Sequence, residues 1–126
     1  MITEVNHIGI CVDNIDRTIE LWGKAFGAVV CRPKAKFAGQ ISCMISIGSL
    51  NFELMEPDGA GVVSKFLEKH GEGIHHISLK SNDYDTDCNV FTETGMSYIP
   101  FPGKVGFIKP KGNHGVLCEV STGDME

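Results

Sequence analysis

The chain repeats itself, and that duplication constrains its fold more than any other feature of its 126 residues. His7 stands in Asn6-His7-Ile8-Gly9-Ile10, and His76 stands in His75-His76-Ile77-Ser78-Leu79, 76 − 7 = 69 residues later. Glu53 stands in Asn51-Phe52-Glu53-Leu54-Met55, and Glu119 in Leu117-Cys118-Glu119-Val120, 119 − 53 = 66 residues later. Ile15, Ile19, Trp22 and Phe26 follow the spacing of one helix face. The same 69-residue step reaches Tyr84, Cys88, Phe91 and Gly95, three of them apolar and in phase. Asn14 and Asp83 precede the two runs as N-caps, and Gly27 and Gly95 follow them where a left-handed cap is wanted. The pattern predicts two half-domains of roughly 60 residues, each a strand, a helix and further strands.

Composition fits one compact domain over 1–126, with modules at about 5–57 and 74–120 and a linker helix at about 61–70. A hydrophobic fraction of 42% supplies a core for a chain of this size. No apolar stretch approaches the roughly 20 residues of a membrane span, and the first residues have no basic head or apolar signal region. A membrane partner is therefore not expected, and nucleic acid is not expected either, since the net charge is −5 and the 11 basic residues form no long run. Cys11, Cys31, Cys43, Cys88 and Cys118 are odd in number, lie mostly in apolar runs and show no Cys-x-x-Cys spacing, so they read as reduced core thiols of a cytoplasmic protein.

Strands are expected at 5–12, 28–32, 40–47, 50–55, 74–80, 96–99, 105–109 and 115–120, with helices at 14–26, 61–70 and 84–94. Residues 33–39, Pro100-Phe101-Pro102-Gly103 and Pro110-Lys111-Gly112-Asn113 read as loops, and 121–126 as a frayed tail. Alternation along a strand assigns the faces. Ile8, Ile10 and Val12 take the helix side, with His7, Gly9 and Cys11 opposite. Ile77 and Leu79 take the helix side, with His76, Ser78 and Lys80 opposite, so His76 rather than His75 is the partner of His7. Glu53 shares a face with Asn51 and Met55, and Ser42, Met44 and Ser46 oppose Ile41, Cys43, Ile45 and Ile47. Each module has one oily face under a helix and one mixed face, and the two mixed faces can form a common cleft.

Two imidazoles and two carboxylates suit one divalent ion such as Zn²⁺, Co²⁺, Ni²⁺ or Mn²⁺, leaving two open positions on an octahedral ion. Taken singly, a histidine at a strand start or a glutamate on an amphipathic strand is an ordinary hydrogen-bonded or solvated residue. Their symmetric recurrence is what favours a metal site at His7, Glu53, His76 and Glu119. His75, His70 and His114 read as structural or surface residues. No glycine loop for a nucleotide is evident, and no Ser or Cys is arranged with a histidine for nucleophilic attack.

Several motifs resemble the vicinal oxygen chelate superfamily over essentially the whole chain. They are His7-Ile8-Gly9-Ile10, Phe52-Glu53-Leu54-Met55-Glu56-Pro57, Lys65-Phe66-Leu67-Glu68-Lys69, Gly71-Glu72-Gly73-Ile74-His75-His76-Ile77, and Phe107-Ile108-Lys109-Pro110-Lys111 with Gly115-Val116-Leu117-Cys118-Glu119-Val120. Within that superfamily the Gly71–Ile77 stretch and the last motif are most similar to the methylmalonyl-CoA epimerase family. The resemblance implies an α+β fold of two paired βαβββ modules, forming a curved mixed sheet around a metal-binding cleft. It implies metal ligands at His7, Glu53, His76 and Glu119, and an enzyme that interconverts (2R)- and (2S)-methylmalonyl-CoA or a related 2-substituted malonyl thioester. Proton abstraction would pass through a metal-stabilised enolate, with Glu119 as one base and Glu53 as the symmetric candidate for the other. Ser42 could hold a water, and Lys111 could meet a CoA phosphate. A homodimer and an acyl-CoA or other thioester partner are expected.

Some epimerases carry a catalytic carboxylate on the strand matching 40–47, where this chain has Ser42, and a histidine often stands where it has Lys109. The alternatives are a glyoxalase I-type lactoylglutathione lyase, which uses the same four ligands, and a metal-free small-molecule-binding or resistance module. A ring-cleaving dioxygenase wants two histidines and one carboxylate, and Glu53 argues against it.

Overall fold

A computed structural model describes residues 1–123. The chain is a mixed α+β fold with eight strands and three helices among these residues. In order they are β1 (Ile2–Cys11), α1 (Ile15–Phe26), β2 (Val29–Phe37), β3 (Gln40–Ile47), β4 (Leu50–Pro57), α2 (Val62–His70), β5 (Gly73–Ser81), α3 (Tyr84–Glu93), β6 (Tyr98–Phe101), β7 (Val105–Ile108) and β8 (Cys118–Ser121). Two compact units divide them, one formed by Met1–His7 with His76 onward and the other by Ile8–His75.

In the Ile8–His75 unit the strand order is β2-β3-β4-β1. β1 runs parallel to β4, and the other pairs are antiparallel. α1 starts where the sequence places it. The Asn14 side chain accepts from the Arg17 N–H at 2.9 Å, and Gly27 closes the helix in the left-handed conformation at φ 73°. Ile15, Ile19 and Trp22 cover Ile8, Ile10, Val12, Cys43, Ile45 and Leu54, the oily faces expected from alternation. A second cluster places Val63, Phe66 and Leu67 of α2 on Cys11 and Met55.

The other unit repeats the plan. β5 runs parallel to β8, while β6–β7 and β7–β8 are antiparallel, in the order β5-β8-β7-β6. Asp83 caps α3 through the Thr86 N–H and hydroxyl. Phe91 packs on Ile108, Cys118 and Val120, with Leu79 and Tyr98 beside them. Both βαβββ modules therefore form, each with its first strand parallel to its last.

Three local expectations are corrected. Residues 33–37 continue β2 instead of forming a loop, and Pro100-Phe101 belongs to β6. Both strands lie at the end of their unit's strand order, where a proline that lacks an N–H removes no ladder bond; β2 accommodates Pro33 within its register shifts between Val30 and Ala35. Ser121 is not frayed, since it ends β8 and is buried; residues 124–126 of the expected tail lie outside the described residues. All five cysteines are free thiols. No helix among the described residues is long and apolar enough to cross a membrane.

Candidate functional site

Three of the four expected ligands converge within one unit. His7 is on β1, His76 on β5 and Glu119 on β8, and their ligand atoms all lie within 4.8 Å of one another. His7 Nε2 is 3.2 Å from His76 Nε2 and 3.8 Å from Glu119 Oε1. The two rings meet edge to face with centroids 5.4 Å apart. Both imidazoles are almost fully buried, at 1% and 5% exposure, so the pair faces this cluster and not bulk water.

The neighbours of these groups fix which atoms face inward. His7 Nδ1 lies 2.9 Å from Asn6 Oδ1. Donation from Nδ1–H to that carbonyl leaves Nε2 with its lone pair toward His76 and Glu119, as a metal-binding imidazole requires. The Ser78 hydroxyl donates to Glu119 Oε1 at 2.7 Å. This contact follows from register, because β5 and β8 align Ser78 with Glu119. The ring of Phe107 stands edge-on to His76 at 6.4 Å.

The donor set fits a divalent ion. Two metal–nitrogen bonds of about 2.0–2.1 Å, diverging by roughly 90–110°, would leave their nitrogens about 2.8–3.4 Å apart. The observed 3.2 Å is in that range. Two neutral imidazoles and a carboxylate oxygen carry one negative charge between them, which a divalent ion would offset in a buried setting.

Glu53 belongs to the Ile8–His75 unit. There it sits on β4, in register with Gly9 of β1 and Met44 of β3. It lines a narrow cleft with Arg32, Ser42 and Met44. Ser42 is buried, and its hydroxyl accepts from Gln40 Nε2 at 2.9 Å. Arg32, in register with Met44, brings a cation to this cleft that the sequence reading did not single out. Burial, with Glu53 nearby adding to it, pushes the Cys11 thiol up to about 11, so it stays protonated at neutral pH.

Lys111 is exposed on the turn after β7. His75 packs its ring on Phe66 at 5.1 Å, and burial lowers its pKa against the opposing pull of Glu53. His70 stacks on the same phenyl ring at 4.9 Å, and His114 is exposed in the loop. The structural reading of these three histidines fits their places. A separate cavity of about 420 Å³ in the Ile8–His75 unit is lined by residues that include Asp13, Arg17, Trp22 and Glu72, and it contains none of the expected site residues. Besides Arg32, the site residues that were not singled out are Asn6, Ser78 and Phe107. Only the alternation that placed Ser78 beside His76 pointed to any of them.

Comparison with known proteins places the chain and its fold among known relatives. The chain is 28% identical over 129 residues to the mitochondrial methylmalonyl-CoA epimerase of Dictyostelium discoideum, covering 94% of this chain and 78% of that protein. It is 29% identical over 131 residues to the ethylmalonyl-CoA/methylmalonyl-CoA epimerase of Cereibacter sphaeroides, covering 95% and 98%. A solved structure of methylmalonyl-CoA epimerase in complex with methylmalonyl-CoA and NH4+ superposes with a TM-score of 0.82 at 29% identity, covering 95% of this chain and 94% of that one. Residues 6–113 match the family description itself, and the chain belongs to the Glyoxalase/Bleomycin resistance protein/Dioxygenase superfamily.

Proposed function

We propose that this protein is a metal-dependent epimerase that interconverts (2R)- and (2S)-methylmalonyl-CoA, or a related 2-substituted malonyl thioester, by proton transfer at C2. The observation that carries the reading is the convergence of His7, His76 and Glu119, with the Glu119 carboxylate aimed by Ser78. The methylmalonyl-CoA-bound structure that this chain resembles supports the choice of substrate.

His7, His76 and Glu119 would hold the ion, and we assign Glu53 as the fourth ligand on the strength of the paired His…Glu recurrence. Co²⁺, Zn²⁺, Ni²⁺ and Mn²⁺ all suit that donor set. A bound divalent ion supplies Lewis acidity to substrate oxygens, worth several kcal/mol. Asn6 keeps the His7 ring in one tautomer, and Ser78 keeps Glu119 in one orientation. The Glu119 carboxylate accepts the C2 proton, and the electron pair of the broken C–H bond passes into the substrate's carbonyl system. A proton then returns to C2 on the opposite face from Glu53, or from a water held at Ser42. Each positioned transfer contributes about 10²–10⁴-fold. Lys111 would meet the CoA phosphates. The homodimer and the cytoplasmic setting expected from the sequence belong to the same proposal.

The test is deuterium incorporation. Metal-loaded protein incubated with methylmalonyl-CoA in D₂O should place deuterium at C2 at a catalytic rate, and Glu119→Gln should nearly abolish it. Absence of exchange by the wild type, with rapid turnover of a glutathione hemithioacetal, would move the assignment to a glyoxalase I-type lyase.

A further inference from the structure

Beside the cluster of His7, His76 and Glu119 stands an apolar wall that the chemistry above does not use. Register carries one row of side chains across the strands of this unit: Ser78 on β5, Glu119 on β8, Phe107 on β7 and Ile99 on β6. Directly opposed residues in an antiparallel pair hold their Cβ atoms about 4.5–5.5 Å apart, so Phe107 is the immediate neighbour of Glu119. Phe101, two residues along β6 from Ile99, shares this face and meets Phe107 edge to face at 5.8 Å.

The opposite face of the hairpin is committed to the core. Tyr98 packs on Phe91 at 5.3 Å, and Ile108, Cys118 and Val120 are buried with it. A Cβ on Gly106 would collide with the Tyr98 hydroxyl and the Ile99 carbonyl, so the bare glycine lets β6 close tightly on β7. The hairpin is thereby held with Ile99 and Phe101 turned to the site face.

Burial on that face is inverted. The polar Ser78 is fully buried, while the apolar Ile99 and Phe101 are 38% and 48% exposed. An apolar patch beside a buried polar cluster offers a surface that an apolar group of a bound molecule can cover.

We infer that Phe107, Phe101 and Ile99 select thioesters whose C2 substituent is an alkyl chain of three or four carbons, longer than methyl or ethyl. This inference rests on the epimerase reading for the position of C2 beside Glu119. A methyl group extends one bond, about 1.5 Å, from C2 and leaves Phe101 and Ile99 uncovered. A propyl or butyl chain would extend past Phe107 toward both. Each added methylene that leaves water should raise affinity about fourfold, the equivalent of about 0.8 kcal/mol.

Two readouts test it on the full, metal-loaded chain. The first is deuterium incorporation at C2 for methyl-, ethyl-, propyl- and butylmalonyl-CoA. The second is calorimetric binding of 2,2-dimethylmalonyl-CoA against 2-butyl-2-methylmalonyl-CoA, which have no C2 proton and cannot turn over. Wild type should show kcat/KM and affinity rising with chain length. Phe101→Ala should flatten that rise, and Phe101→Leu should keep most of it. Exchange that is fastest with methylmalonyl-CoA, with affinity flat along the series, overturns the inference and leaves the epimerase reading standing. Affinity that rises with chain length without exchange of any ester overturns the epimerase reading alone. Phe101→Ala weakening all esters equally would place the pantetheine arm on this wall and also overturn the inference.

Discussion

Removal of the Ser78 hydroxyl should weaken metal binding without unfolding the protein. Ser78 is fully buried and donates a 2.7 Å hydrogen bond to Glu119 Oε1. A hydrogen bond to an ionised group contributes about 1.5–3 kcal/mol. Glu119 keeps 16% of its side chain exposed, so water can replace part of that bond in Ser78→Ala. The expected loss is about 1.4–2.7 kcal/mol, or about 10–100-fold in metal affinity, as for other hydrogen bonds that orient a ligand. The assay is Zn²⁺ titration by calorimetry against a competing chelator. Ser121→Ala serves as the control, because Ser121 is buried on β8 but accepts from the Gly123 N–H and does not engage Glu119. Circular dichroism should remain that of the wild type in both. Affinity of Ser78→Ala within twofold of wild type would refute the idea that this hydroxyl orients the carboxylate.

Gly39→Ala should destabilise the protein more than Gly48→Ala does. Both glycines have positive φ, at 80° and 58°, which costs an alanine about 1–2 kcal/mol, but only at Gly39 would the new Cβ come within 2.6 Å of the Ala60 carbonyl; equal urea midpoints for the two variants would contradict this. Among the thiols, Cys31 is exposed and should react with a thiol reagent at once, whereas Cys11, Cys43 and Cys118 are buried and should react only on unfolding. Cys11 also gives the pH dependence a sign. Its thiol is pushed up to about 11, so between its unfolded pKa near 9 and about 11 the folded chain binds more protons than the unfolded one. Its contribution is complete below pH 9 and is lost as the pH rises toward 11, which urea unfolding at pH 8, 9.5 and 11 should register as a falling midpoint that Cys11→Ser lessens.

Much of the module plan was legible because its signals are local. Asn14 and Asp83 mark helix starts by their side chains, and alternation along β1 and β5 separated Ile8 and Ile10 from His7, and His76 from His75. Two of the three errors fall at proline. Pro33 and Pro100 read as loop chemistry, yet they occupy strands at the end of their unit's order, where a missing N–H leaves no partner unsatisfied. Edge position depends on which strands pair, and no local pattern reveals it. The same reason hid the groups that surround the candidate ligands. Ser78 meets Glu119 across 41 residues of sequence through the β5–β8 register, and Phe107 comes beside Glu119 through β7–β8. The candidate ligands stood out because the His…Glu pair recurs in both modules.

A crystal structure grown with Co²⁺ and measured at the cobalt absorption edge tests the central claim most directly. The account predicts one anomalous peak about 2.0–2.2 Å from His7 Nε2, His76 Nε2 and a Glu119 carboxylate oxygen, lost in the His7→Ala/His76→Ala double variant while the fold persists. A fully occupied peak that survives the double variant, or cobalt bound only elsewhere on the chain, would contradict it.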